Sequence, residues 1–309
     1  HIPDTIEIND DIRRLTSVVC HSLSDVPDII DTWNEGKVAD VEGYYENAKI
    51  NRVYVDRVHV KKAFAEYTAA YNADDPKIKL KIDHTYRVAA LCERIAKAAG
   101  MCAYDVELAW LSGMLHDVGR FEQIKRYNTF SDADSVDHAK FGADLLFKDG
   151  LISTFLNGMV KCTGYKPGAL EDRYSSDGIF LYDRLNKSDM EMLELAIRCH
   201  NMYRIPQGLN RREQAFCNVL RDADKVDIFK VNIDTPLEEI YNTTTEELMK
   251  SDITVEVLKA FYEEHCILKA IRRTPADTVI GHVSLAYELV YDESVRITVE
   301  QGYLGKLMH

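Results

Sequence analysis

The chain has 309 residues, 46% of them hydrophobic and 29% charged, enough apolar material for a sizeable core and too much for an intrinsically disordered chain. A formal net charge of −13 repels a long polyanion, and no Lys/Arg stripe with interleaved aromatics offsets it. Long nucleic acid is therefore not an expected partner, whereas a small phosphorylated molecule needs only a few cations in a pocket.

Seven scattered cysteines form no C-x-x-C pair, which argues against a disulfide framework and against a structural zinc site. No apolar run approaches the roughly 18 residues a membrane helix needs. The opening "HIPDTIEINDDIRR" lacks the charged-then-apolar pattern of a secretory signal. A cytoplasmic location without a membrane partner is the expectation.

In chain order, residues 1–56 are acidic and weakly periodic, and are expected to form a helical extension on a main body over 57–309. From Asp83, "DHTYRVAALCERIAKAAG" places Val88, Leu91 and Ile95 on one helical face, with Gly100 as a stop. "DVELAWLSGMLHD" carries the period through Leu108, Leu111 and Leu115 and is expected to end near Gly119. "DHAKFGADLLF" repeats it with Phe141 and Leu145, and "MEMLELAIRCH" and "EQAFCNVLRDADKVDIF" do the same. Residues 163–189, rich in Gly, Ser, Asp and Asn, read as loop with one short helical piece at most. Beyond Leu237 the pattern is again helical, with Ser251 or Asp252 capping "SDITVEVLKAFYEEH". No strand alternation or internal repeat stands out, so the expected fold is all-α.

Five of these segments put a histidine or aspartate on an apolar helix face. His84 lies four residues before Val88, and His116 and Asp117 continue the Leu108–Leu111–Leu115 stripe. His138 precedes Phe141 by three, His200 follows Ile197 by three, and Asp224 follows Leu220 by four. Asp222 sits about 200° around its helix from Asp224 and cannot share a site with it. Asp222 and Asp227 are read as structural or exposed.

A buried carboxylate without compensation is prohibitive, and a divalent cation supplies that compensation. Mixed imidazole and carboxylate donors suit Mn, Fe, Zn, Ni or Co better than Ca. The expected ligands are His84, His116, Asp117 and Asp224, with His138 and His200 able to extend the site to a second ion bridged by Asp117.

The order H…HD…H…H…D, with "HDVG" and "DADKVD", resembles the HD superfamily of metal-dependent phosphohydrolases over roughly residues 57–230. The resemblance implies an all-helical bundle, here with N- and C-terminal helical extensions, and a centre of one or two divalent ions (Mg joining the metals above). It also implies hydrolysis of a phosphate ester or anhydride, with a small nucleotide or related metabolite as substrate. It places His84 at the first ligand position, His116 and Asp117 at the HD pair and Asp224 at the final aspartate. His138 and His200 fall where binuclear members carry further histidines.

Two branches fit poorly. The cyclic-di-GMP phosphodiesterases carry HDIGK and GYP, where this chain has Arg120 and "YRIPQGL". The (p)ppGpp hydrolases and 5′-deoxynucleotidases carry an acid near the position of Arg120, where the nearest acid here is Glu122. The substrate stays open, as does a homo-oligomeric state.

The expected catalytic set is Asp117 with His138 and His200, either of which could protonate the leaving oxygen if it is not a ligand. Arg120 and Lys225 are the first candidates for phosphate contacts, followed by Arg87, Lys140 and Arg204. Arg120 could equally pair with Asp117 or Glu122, and Lys225 could be a solvated helix face. Two other functional classes remain on the page: a non-catalytic sensor or interaction module, and a di-iron oxygenase of HD type.

Overall fold

Asp75 and Pro76 start the first long helix a full two turns earlier than the apolar stripe suggests. In the computed structural model of the chain, which describes residues 55–156, 161–162, 180–181, 185, 187–236 and 243–308, this helix, α2, runs Pro76–Ala98. The Asp75 carboxylate accepts from the Lys77 amide, and Pro76 takes the first helical position, where its missing N–H costs nothing. Gly100 follows the cap at a φ of 73°, the left-handed turn that lets the helix stop there.

Before α2 lies α1 (Arg57–Thr68), whose Arg57 bridges Glu93 of α2 and Glu107 of the next helix. That helix, α3 (Ala103–Leu115), is buried from Leu108 to its end. A helix apolar all round belongs inside, and α3 packs against α2 at the centre of the fold.

Two departures from the expected pattern matter for the site. First, Gly119 does not end the third helix: α3 stops at Leu115, and a new helix, α4 (Val118–Tyr127), begins three residues later. Second, α5 (His138–Ala143) runs into a π-turn over Asp144–Lys148. Ala139, Ala143 and Leu146 are the buried apolar side chains of this segment, while Phe141 and Leu145 are only half-buried. The Phe141 ring instead lies beneath the Arg126 guanidinium.

The short α6 (Ile152–Leu156) follows. Then α7 (Lys187–Cys199) and α8 (Arg211–Asp234) complete the bundle around the core of Val88, Leu111, Leu193, Ile197 and Leu220. An Asn210–Glu213 capping box fixes the start of α8. The C-terminal part is made of short helices: α9 (Thr245–Met249), α10 (Val255–Tyr262), α11 (Pro275–Val283), α12 (Asp292–Gln301) and α13 (Tyr303–Leu307). The cap of α10 is Thr254 rather than Ser251 or Asp252; the Ser251 hydroxyl instead accepts from the Ala276 amide at the start of α11.

Among the described residues the fold is helical, as expected, apart from a two-residue antiparallel ladder pairing Lys161–Cys162 (β1) with Phe180–Leu181 (β2). The chain divides into two units, 54–159 with 183–309 and 1–53 with 160–182. The helices belong to the first and the ladder to the second. The expected extension over 1–56 lies, up to residue 54, outside the described residues, as does most of the 163–189 loop.

Two glycines set how closely the site-bearing helices approach. A Cβ on Gly113 of α3 would fall 2.6 Å from the Ala89 Cα of α2. One on Gly119 of α4 would fall 2.4 Å from the His138 carbonyl oxygen and 2.7 Å from the Gly142 nitrogen of α5. These obstacles are backbone, which yields only if the helices separate. Gly119→Ala is therefore expected to destabilise the protein by about 1–3 kcal/mol, the usual cost of overpacking, and to displace His138. Denaturant unfolding checks this; an unchanged midpoint contradicts the close packing.

Candidate metal centre

The break between α3 and α4 is what lets neighbours in sequence face one pocket. Adjacent side chains on a continuous helix diverge by about 100°. Here His116 closes α3, and Asp117 sits at φ −103° and ψ 14°, in the sparsely used bridge region between helix and strand. The turn brings His116 Nε2 and Asp117 Oδ2 to 3.5 Å. His84 comes from α2, His138 opens α5, His200 follows the end of α7, and Asp224 sits mid-α8.

These six residues gather into two adjoining groups. His84 Nε2 lies 3.1 Å from Asp224 Oδ1 and 3.3 Å from His116 Nε2. It is also 3.5 Å from Asp117 Oδ2. On the other side, His138 Nε2 and His200 Nε2 are 3.1 Å apart, and they stand 3.5 and 3.8 Å from Asp117 Oδ1. One oxygen of Asp117 thus faces each group. All four histidines and Asp117 are buried, the least buried at 4% exposure.

The outer ring nitrogens decide what the inner ones can do. His116 Nδ1 donates to the Gly113 carbonyl and His200 Nδ1 to the Ile197 carbonyl, neither of which has a proton to give. His138 Nδ1 donates to the Asp132 carboxylate and His84 Nδ1 to Asp227. In the neutral imidazoles each Nε2 is then a bare lone pair pointing inward. Two lone pairs 3.1 Å apart cannot hydrogen-bond to each other; they need a cation between them. Imidazole Nε2 atoms held by Nδ1 bonds to carbonyls and carboxylates, beside a shared carboxylate, form a donor set that fits divalent metal ions. His84, His116 and Asp224 form one ligand-competent group, and His116, Asp117 and His200 another.

The protonation preferences agree with this. Burial, helped by the nearby Arg120, pushes His138 down to about 3, and burial pushes His116 to about 4. Both stay neutral donors at ordinary pH. Burial and Lys81 act against charge on His84, but its bonds to Asp224 and Asp227 outweigh them and raise it. The pocket therefore favours positive charge where His84 meets the carboxylates. Burial alone would raise Asp117, yet Lys81 and the surrounding histidines and arginine hold it well below the usual carboxylate range.

A pH effect on stability follows. In the unfolded chain both His116 and His138 titrate near 6.5, so below that pH the unfolded state binds more protons and stability falls as pH falls. The raised His84 is charged in both states below 6.5 and adds no slope there. Chelator-treated protein is expected to lose up to about 1.4 kcal/mol per pH unit for each of the two histidines as pH drops from 6.5 towards 4.5. Thermal melts across that range check it, and an unchanged midpoint contradicts it.

The cations expected near a phosphate are placed unequally. Arg120 is close: its Nε lies 3.7 Å from Asp117 Oδ1 and has no hydrogen-bond partner. Its Nη1 is held by Gln123, the Phe130 carbonyl and Asp132, not by Glu122. Arg87 grips Asp227 with two bonds and so acts through His84. Lys140 is exposed and paired with Asp137. Lys225 is buried and bonded to the Glu288 carboxylate and carbonyl, so it is not a solvated face. Burial and the neighbouring Arg221 lower its pKa. Arg204 is largely exposed and lies over the Tyr203 ring.

Three participants escaped the sequence reading. Lys81, one turn before His84, donates to Asp117 Oδ2 at 2.6 Å. Its spacing from His84 on the same helix face was the available signal. Asp227, three residues after Asp224, carries the outer nitrogen of His84, and the same spacing pointed to it. Asp132 accepts from His138, Gln123, Arg120 and Asn201. It lies in an irregular loop where no periodicity marks a residue. Asp222 does face away from the site, accepting from the Val290 and Tyr291 amides.

The comparison with protein families agrees with this arrangement. The family model of the HD domain matches residues 82–229, a span that contains all six converging side chains. No curated protein matches the chain. Among solved structures, a predicted HD superfamily hydrolase from an uncultured Thermotogales bacterium is similar at 18% identity and a TM-score of 0.34, over 80% of this chain and 92% of that one. The histidine–aspartate pair at the α3–α4 break and its partners from four other helical segments all lie in the stretch 82–229 that matches the HD domain.

Proposed function

We propose that the pocket holds two divalent ions sharing Asp117, and that the protein hydrolyses a phosphoester or phosphoanhydride bond of a small nucleotide or related phosphorylated metabolite. The observation that carries this reading is the convergence of four imidazole Nε2 atoms on the two oxygens of one buried aspartate. Bound divalent ions of the Mn, Fe, Co, Ni, Zn or Mg class supply Lewis acidity, lowering the pKa of coordinated water and polarising a phosphoryl oxygen.

The chain's own residues supply the rest. Asp227, Asp132 and the Gly113 and Ile197 carbonyls fix the ring orientations, so the donors need no rearrangement when they bind. With Nδ1 committed, His138 and His200 act as ligands rather than as the acid for the leaving oxygen. Arg120 Nε, buried and free beside Asp117, is the cation placed to meet charge developing on the phosphoryl oxygens, and Lys81 adds a second. A complete donor set speaks against a non-catalytic module, in which loss of one or more ligands is expected.

The test is turnover. Purified protein supplied with Mn²⁺ is expected to release phosphate or pyrophosphate from some member of a panel of nucleotides, cyclic nucleotides and aryl phosphates. Metal binding without turnover on the whole panel would favour the sensor reading instead.

A further inference from the structure

Away from the six converging residues, a cleft of about 280 Å³ opens between the loop Tyr203–Ile205 and the segment Tyr287–Val290, with Arg204, Arg221 and Glu288 among its walls. Its electrostatics are lopsided. Arg221 Nη2 and Lys225 Nζ approach the same oxygen, Glu288 Oε2, at 3.4 and 3.2 Å. Arg204 Nη1 stands 3.9 Å from the other oxygen, which is buried and has no hydrogen-bond partner. Three cations thus surround one carboxylate. The side chains of Arg221 and Lys225 are 8% and 9% exposed, a costly burial for two cations that contact the same carboxylate, with Asp222 as a second anion near Lys225.

The segment bearing Glu288 is held from α8 on both sides, by Asp222 at Val290 and Tyr291 and by Lys225 at the Glu288 carbonyl. The backbone at Glu288 is thereby fixed beside the three cations. Tyr203 and Tyr287, both partly exposed, stand at the walls.

We propose that this cleft binds the phosphate group of a small molecule through Arg204 and Arg221, with Lys225 behind them, and that Glu288 is a resident anion that competes for those cations and weakens the binding. Two connections run from the cleft towards the metal centre, one of hydrogen bonds and one along the chain. Arg221 donates to the carbonyl of Met202 and reaches that of His200, and Lys225 follows Asp224 in the chain. By reciprocity, whatever factor a ligand in the cleft imposes on metal affinity, bound metal imposes on that ligand's affinity.

Calorimetric titration of the whole protein with inorganic phosphate tests the site. The sign of the Glu288 effect separates a ligand site from a structural ion pair. Glu288→Gln keeps the shape and a hydrogen-bonding oxygen but removes the competing charge, and is expected to tighten phosphate binding about tenfold. Arg204→Ala, at an exposed position, is expected to weaken it several-fold without altering the thermal midpoint. Both effects should persist in an Asp117→Asn background, since phosphate held at the metal centre would vanish there and ignore Glu288. Unchanged or weaker binding in folded Glu288→Gln, or complete loss of binding in Asp117→Asn, overturns the proposal.

Discussion

Asp117→Asn is expected to cost at least about 10³-fold in turnover, on the upper scale of a single electrostatic contact to a transition state, and to release both metal ions. The substitution is close to isosteric, so packing survives, but it removes the carboxylate whose two oxygens face the two halves of the pocket. Oδ2 lies 3.5 Å from the Nε2 atoms of His84 and His116, and Oδ1 lies 3.5 Å from that of His138. An amide offers one weak acceptor where the carboxylate offers two charged ones. The Lys81 ammonium, 2.6 Å from Oδ2, also loses its counter-ion. Its side chain is 16% exposed, so it can turn towards water, which limits the loss of stability. Metal content and circular dichroism on one preparation separate these effects. Retention of both ions by a folded Asp117→Asn protein contradicts the bridging role.

Asp227→Asn is expected to act on one half of the pocket only. Asp227 touches no converging Nε2 atom; it holds the outer nitrogen of His84 at 2.6 Å and is itself gripped by Arg87. Such partners beneath a ligand typically contribute 10–100-fold in metal affinity. Competition with a chelator should therefore show one weakened ion, the one shared by His84, His116 and Asp224. The ion on His138 and His200, whose outer nitrogens bond to Asp132 and Ile197, should be unaffected. A merely structural role for Asp227 would weaken both ions equally or neither, and Asp227→Glu should restore part of the affinity.

The residues most legible in the sequence were those that obey helical periodicity. His84, His138, His200 and Asp224 each continue an apolar stripe, and burial forced them inward together with Val88, Ile197 and Leu220. What the pattern could not carry was geometry set by close backbone approach. Gly119 reads as a helix stop in sequence, yet in the fold it lies in the first turn of a new helix, packed so tightly on α5 that no side chain fits. In the next segment the buried positions are Ala139, Ala143 and Leu146 rather than Phe141 and Leu145, and the π-turn after Ala143 is a break in period that a helical stripe does not show.

The supporting residues were hidden for a different reason. Lys81 and Asp227 look like ordinary surface charges until their partners, 36 and 143 residues away along the chain, are in place, and Asp132 lies in a loop where no periodicity marks it. The cations chosen by proximity to the motif fared unevenly for the same reason. Arg120 stands beside Asp117, whereas Arg87, Lys140 and Lys225 are committed to Asp227, Asp137 and Glu288.

The central claim is that one buried aspartate joins two sets of imidazole donors around two cations. Anomalous diffraction from crystals grown with Mn²⁺, with elemental analysis of the same protein, tests it most directly. The predicted result is two ions per chain, one against His84, His116 and Asp224, the other against His138 and His200, with an Asp117 oxygen on each. A single ion, or none within reach of these side chains, would contradict it.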